Sequence, residues 1–335
     1  MMIRVLQVGL GPIGCAVARQ LAARPGFRLV GAVDIDPAKV GRDLGEVAGI
    51  GRRLRVKVSG DLGRVVRATR PDIAVLCTAS SLPKILPQLE ELLKLRLPVV
   101  STTEELAYPV KSNRRVARRI GELARKARVA VLGTGVNPGF TMDALPIALT
   151  AVCERVDAIE VLRVQDARFR RLPFQKKIGA GLTKRQFARQ LASGSVRHVG
   201  FAESIQMIAD ALGWRLTRIT ETVHPWIAKK RIASKQLTVA AGHVCGIRQE
   251  GVGYVGCDPK IRLRLAAYLG APESYDSVLI EGSPRIYSKV EGGIHGDIAT
   301  ASMTVNSIPR VLAAAPGLRT MRDLPLPSYF PSGHR

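Results

Sequence analysis

Two adjacent carboxylates, Glu104 and Glu105, follow the apolar run Val99-Val100 in the stretch VVSTTEELAYP. A carboxylate just past the end of a buried strand can hold a cation, or take a proton from one. The setting is unusual, because the chain has 51 Lys and Arg against 27 Asp and Glu, a formal charge of +24. A second chemical signature stands near the N-terminus. Ile3 to Val8 is a short apolar run, GLGPIG follows it, and the helical pattern CAVARQLAARPG comes next. In such a unit Gly9 makes the tight turn, Gly11 lets the backbone approach a pyrophosphate, and Gly14 lets helix and strand pack closely. Pro12 and Ile13 open the helix, whose free N–H groups and positive dipole end suit phosphate. A further run, FRLVGAV, leads to Asp34, about twenty residues after Gly14, where a dinucleotide fingerprint has its acceptor for the ribose hydroxyls. That carboxylate favours NAD and repels the 2′-phosphate of NADP. Lys39 and Arg42 are close enough in sequence to offset the repulsion, so both cofactors stay open.

Positioning these groups requires a particular kind of sheet. PDIAVLCTASS, LPVVSTTEE and ARVAVLGTGVNPGF each contain a near-continuous apolar run, as strands do when a parallel sheet is covered on both faces. Helical patterns, LPKILPQLEELLKL and VKSNRRVARRIGELARKA, separate them. Right-handed crossovers bring every strand's C-terminal end to one edge, and ligands bind there. Thr78, Ala79, Ser80, Thr102, Asn137 and Pro138 are therefore expected against the cofactor, with Asn137 and Phe140 also facing substrate. The acidic pair then stands where a nicotinamide belongs.

After Asp143 the patterning changes. DAIEVLRVQDARF, QLTVAAGHVCGIRQ and SVLIEGSP alternate, as antiparallel strands with one exposed face do. The expected fold is α/β: a Rossmann-type doubly wound parallel sheet over 1–143, then a second α+β domain on a mainly antiparallel open sheet over 144–300. The second domain is read as binding substrate and forming a homodimer. Residues 301–335 are expected as a helix and tail returning to the nucleotide domain. Hydrophobic residues make up 46% of the chain, enough for a sizeable core. No apolar run reaches the ~18 residues a membrane span needs, and MMIRVLQVGLGPIG reads as strand and turn rather than a targeting signal. Five scattered cysteines suit a reducing cytoplasm. No His, Cys or carboxylate pair has ligand spacing, so no metal is expected. The basic residues are dispersed and aromatics are only 4%, which gives no stacking platform for nucleic acid.

The glycine turn, STTEELAYP, GTGVNPGFTMDALP, QKKIGAGLT, HVGFAESI with ADALGW, and GDIATASMTVNSIPRVL with PGL occur together in this order. Together they resemble the 2,4-diaminopentanoate dehydrogenase and NAD(P)-dependent amine dehydrogenase family, within the wider dihydrodipicolinate-reductase-like group. The resemblance implies oxidative deamination of 2,4-diaminopentanoate or a related amine to a ketone and ammonia, or the reverse. It puts the catalytic glutamate at Glu104. It also brings Thr300 to the pocket, and sets His198, kept as a substrate ligand, and His295 beside glycines in family motifs. Lys177, with Gly179 and Gly181, stands where the reductases keep a loop for substrate carboxylate. The paired histidines and PSGTA loop of those reductases are absent from RVQDARFRRLPFQKKIGAGLT. Glu105 is kept as a substrate ligand, although alternation along an extended segment points it away from Glu104. The pair could instead simply start a helix. Two other functions stay open: a dihydrodipicolinate-reductase-like imine reductase, and a non-catalytic NAD(P)H-binding sensor.

Overall fold

The apolar runs of the first half fold as short strands because nothing polar interrupts them, and the amphipathic stretches between them fold as helices. The computed structural model describes residues 2–110 and 113–329. The chain divides into two compact units, residues 1–140 with 295–335, and residues 141–294. The boundaries thus fall slightly earlier than 143 and 300. The chain leaves the first unit after Phe140 and is back in it at His295, because the returning helix starts at Gly296.

The first unit runs β1 (Ile3–Val8), α1 (Pro12–Ala23), β2 (Phe27–Val33), α2 (Leu44–Val47), β3 (Val58–Ser59), α3 (Leu62–Thr69), β4 (Ile73–Leu76), α4 (Leu82–Lys94), β5 (Val99–Ser101), α5 (Glu104–Ala107), α6 (Arg114–Ala127) and β6 (Ala130–Gly133). All residues of β4, β5 and β6 are buried, as strands covered on both faces must be. Leu6, Leu76, Leu82, Ile85, Leu89, Leu92, Ile120 and Val131 share one core between sheet and helices.

The second unit contains α7 (Ala144–Leu149), β7 (Arg155–Asp166), α8 (Leu172–Lys177), α9 (Lys184–Ala192), α10 (Phe201–Ala211), β8 (Arg218–Ile227), β9 (Ile232–Ala233), β10 (Thr238–Val239), β11 (Val244–Val255), β12 (Asp258–Tyr268), β13 (Tyr275–Ser283) and β14 (Ile286–Glu291). Six of these strands form a sheet in the order β14-β13-β7-β12-β11-β8. Only β7 and β12 run parallel; the other neighbours are antiparallel. One face packs Ile159, Val161, Ile247, Ile261, Leu263 and Val278 against Phe187, Phe201, Ile205 and Ile208. The other face carries a charge network of Glu160, Glu250, Arg262 and Arg264.

The first unit is completed by α11 (Gly296–Leu312) and β15 (Gly317–Arg319). The helix packs on α1 as expected, with Gln20 Nε2 3.0 Å from Ser302 Oγ and Arg24 Nη1 2.6 Å from Asn306 Oδ1. β15 was not expected; it adds to β6 in parallel and extends the sheet to β15-β6-β5-β4-β1-β2-β3. Among the described residues no helix is long and apolar enough to cross a membrane.

Candidate active site

The glycine turn is built by exclusion. Gly9 has φ +84, and a Cβ there would lie 2.5 Å from the Cys77 carbonyl oxygen. A Cβ on Gly14 would lie 2.0 Å from the Gly9 carbonyl oxygen. Neither position admits a side chain. Gly11 differs: a Cβ there would meet nothing within 4 Å, so the backbone faces open space. Gly11 is also the N-cap of α1 and offers no side-chain cap, and Pro12 is the first helical residue. The early N–H groups of α1 thus lack a side-chain acceptor beside a surface with room for a ligand, which fits a pyrophosphate.

Asp34 ties this turn to the end of β2. Its Oδ2 accepts from the Leu10 N–H at 2.7 Å and its Oδ1 from the Asp36 N–H at 2.9 Å. Lys39 Nζ lies 3.4 Å from Asp34 and 3.1 Å from Asp36. Lys39 was read as an offset for a 2′-phosphate; here it pairs with both carboxylates.

The loops after β4 and β5 are laced together at the same sheet edge. The Ala79 carbonyl accepts from Thr103 Oγ1 at 2.7 Å, and the Ser80 carbonyl from the Glu105 N–H at 3.3 Å. The Thr102 N–H donates to the Leu76 carbonyl at 3.1 Å, and Thr78 Oγ1 to Gln88 Oε1 at 2.7 Å. Glu104 and Glu105 open a helical turn, α5, with Thr103 as its N-cap, so the extended segment assumed for them is corrected. Glu104 is half-buried at this edge. Glu105 is committed elsewhere: its Oε2 accepts from the Leu82 N–H at 2.7 Å and from Asn113 Nδ2 at 3.3 Å. Ser81, the N-cap of α4, makes no side-chain bond, so Glu105 does that work from a distance. It caps the start of α4.

The loop after β6 carries Asn137, which is buried, and Pro138, joined by a cis peptide bond. Thr300 of α11 meets this loop: its Oγ1 accepts from the Val136 N–H at 3.4 Å. Its Cγ2 would lie 3.4 Å from a Cβ built on Gly135. Residues about 160 positions apart, Asn137 and Thr300, are therefore brought to one neighbourhood. Phe140 is half-buried at the end of the loop. His295 serves as the N-cap of α11, its Nδ1 accepting from the Ile298 N–H at 3.5 Å.

In the second unit Lys177 ends α8, ahead of Gly179 and Gly181 at φ +74 and +91. His198 is clamped by Gln249, which accepts from the His198 N–H at 2.7 Å and donates to its carbonyl at 2.7 Å. Burial drives the His198 pKa down to about 3, and the charges of Lys177, Arg163 and Arg170 push the same way. Lys177 and His198, both read as substrate ligands, thus face one cationic cluster. Arg163 and Arg170 were missed in the sequence, although both are buried. Arg170 donates to Gln165 Oε1 at 2.6 Å and lies 4.0 Å over the Phe174 ring. The signal was available for Arg163, which falls on the same alternating face of β7 as Ile159 and Val161. Among the described residues, no group of three or more His, Cys, Asp and Glu could hold a metal ion.

Comparison with known proteins bears on this geometry. The 2,4-diaminopentanoate dehydrogenase C-terminal domain model matches residues 140–334, and the dihydrodipicolinate reductase N-terminus model matches residues 3–131. The chain is 34% identical to a 2,4-diaminopentanoate dehydrogenase of Acetoanaerobium sticklandii, covering 97% of this chain and 94% of that one. It is 25% identical to an amine dehydrogenase of Streptomyces virginiae, with 97% of each covered. Among solved structures, an amine dehydrogenase from Mycobacterium smegmatis superposes with a TM-score of 0.88 at 26% identity, over 99% of this chain and 98% of that one.

Proposed function

Because the chain belongs to the 2,4-diaminopentanoate dehydrogenase family, we propose that it oxidatively deaminates 2,4-diaminopentanoate or a closely related amine, with Glu104 as the general base. The chain is an NAD(P)-dependent oxidoreductase acting on amines. The observation that carries the assignment of the base is the place of Glu104, half-buried in the first turn of α5 at the edge where the parallel strands end.

The turn at Gly9, Gly11 and Gly14, with Pro12 opening α1 and the Ile13 N–H as its first donor, would hold the pyrophosphate, and Asp34 would accept from the ribose. Thr78, Ala79, Ser80, Thr102, Asn137 and Pro138 would border the rest of the cofactor. The bound nicotinamide supplies the hydride acceptor. An ammonium cannot give up hydride from its carbon, so the chemistry begins when Glu104 takes a proton from the substrate nitrogen. The oxidised carbon is then an iminium; Glu104 gives its first proton up to solvent and, as the carboxylate again, takes a proton from the water that adds to the iminium carbon. Ketone and ammonia leave. Asn137, Phe140 and Thr300 would border the amine. Within the second unit, Lys177 and His198 would form a carboxylate-binding pair. A neutral His198 suits that role, since it donates a hydrogen bond without adding a fourth charge.

Amine dehydrogenases that align over nearly the whole chain leave the imine-reductase and sensor readings unfavoured. The five cysteines are free, which supports a reducing cytoplasm. We read the chain as a homodimer through the outer, charged face of the six-stranded sheet, which light scattering on the purified protein tests. The function is tested by following reduced nicotinamide with 2,4-diaminopentanoate and with carboxylate-free amines, using NAD and NADP. Turnover of the diamino acid supports the reading. Binding of cofactor with no turnover of any amine ends it.

A further inference from the structure

The second unit begins at Thr141 and ends at Ile294. Both ends are fastened to one buried ion pair. Arg163 on β7 and Asp276 on β13 are register partners, and their side chains are 3% and 4% exposed. Arg163 Nε lies 2.6 Å from Asp276 Oδ1. The same guanidinium donates from Nη1 to Thr141 Oγ1 at 3.0 Å and from Nη2 to the Ile294 carbonyl at 2.9 Å. Asp276 Oδ2 accepts from the Ile294 N–H at 2.6 Å. Gln165 Nε2 adds a 3.3 Å bond to the Ile294 carbonyl.

A pair of apolar residues would fill this space without the desolvation cost of two charges, so stability alone does not explain it. Geometry does. The planar fork of arginine meets three acceptors in fixed directions, which a lysine ammonium does not reproduce. What the fork joins are the segments that lead directly to site residues of the first unit. Thr141 follows the loop of Asn137 and Phe140, and Ile294 precedes the cap of α11, the helix that carries Thr300.

We propose that Arg163 and Asp276 are a positioning pair for the reaction, setting the Asn137–Phe140 loop and the start of α11 by holding Thr141 to Ile294. Neither residue touches the reacting atoms. The proposal rests on the assignment of Asn137, Phe140 and Thr300 to the site, and its test has an arm that does not depend on turnover.

The experiment compares Arg163→Met, Arg163→Lys, Asp276→Asn and the double variant Arg163→Met/Asp276→Leu with wild type, measuring kcat, KM for the amine and the cofactor dissociation constant. A misplacement of about 1 Å costs about a hundredfold in rate. We expect kcat to fall about ten- to a hundredfold in Arg163→Met and in the double variant, with partial recovery in Arg163→Lys. Cofactor affinity falls much less than kcat, because the glycine turn and Asp34 are untouched and only the Asn137–Pro138 border shifts. The double variant leaves no charge buried alone and therefore folds. A folded double variant with wild-type kcat overturns the proposal, and so does a cofactor affinity that falls in step with kcat. Hydrogen exchange on wild type decides if none of the variants folds, or if no amine is turned over. The amides of residues 139–143 and 292–297 should then open together at one rate. Independent opening of the two segments overturns the proposal, whereas absent turnover alone counts only against the assigned activity.

Discussion

Truncating Glu105 to alanine removes the acceptor for the first helical N–H of α4 and leaves the neighbouring Glu104 in place. The Leu82 N–H then loses its 2.7 Å partner, and Ser81 provides no side-chain substitute. Stranding a part-buried donor of this kind costs about 1–3 kcal/mol. Taking about 2 kcal/mol, and a first unit of roughly 180 residues, the thermal midpoint of that unit should drop by about 4–8 °C. Glu105→Gln keeps an acceptor oxygen and loses only the charge at the helix N-terminus, about 0.3–1 kcal/mol. Neither change touches the base, so kcat stays near wild type for both at a temperature where they are folded.

Glu104→Gln should do the opposite. The amide has the same shape but cannot take a proton. General-base catalysis contributes about 10²–10⁴ in rate, or about 2.7–5.5 kcal/mol in the barrier. The midpoint should move little, because Glu104 lies in the first turn of a four-residue helix where its dipole contribution is about 0.3–1 kcal/mol. The assay pairs steady-state amine oxidation with differential scanning fluorimetry on the three variants. If Glu105→Ala loses its activity with an unchanged midpoint while Glu104→Gln keeps turning over, the roles given to the two carboxylates are reversed and the reasoning fails.

The glycine turn makes a second contrast. Gly14→Ala places a Cβ 2.0 Å from a backbone oxygen and should abolish folding of the turn, whereas Gly11→Ala meets no protein atom and should keep the wild-type midpoint while losing cofactor affinity by tenfold or more, about 1.4 kcal/mol, in a fluorescence titration. His198 predicts an acid limb in stability. Its pKa is about 3 in the folded chain and about 6.5 when unfolded, so the unfolded chain binds the extra proton and stability is lost as pH falls below about 6.5. Between pH 8 and pH 4.5 this amounts to about 2.7 kcal/mol, and urea unfolding of His198→Gln should show a correspondingly shallower acid limb; an unchanged limb would refute the assignment. Asp34→Ala should weaken NAD and improve NADP relative to it, since the repelling carboxylate is gone while Lys39 is released to meet a phosphate; a dissociation-constant ratio that does not move refutes that reading.

What could be read from the sequence was local. The turn at Gly9, Gly11 and Gly14 depends on atoms within a few residues and on the next strand, so glycine spacing alone announces it. The uninterrupted apolar runs at Val99 and Val131 likewise declare buried parallel strands. β15 escaped because three residues after a Pro-Gly stop carry no period. The meeting of Thr300 with Val136 depends on where a distant helix returns, and family motifs pointed to it where periodicity could not. Among the dispersed basic residues, Arg170 is buried against Phe174. Composition cannot separate a buried arginine from an exposed one; strand alternation can, as it does for Arg163.

The acidic pair was separated by the alternation of an extended segment, and the local structure is a different one. An extended segment would turn neighbouring side chains to opposite faces. In the helical turn that α5 forms, neighbours are instead separated by about 100°. That smaller angle has a consequence. Glu105 is turned toward the N-terminus of α4, while Glu104 stays at the edge where the strands of the parallel sheet end. Glu105 meets a helix dipole, which is always present. Under the proposed function Glu104 would meet a cation that arrives with substrate, and the fixed bonds from Leu82 and Asn113 to Glu105 would hold the adjoining turn in place while Glu104 gained and lost its proton.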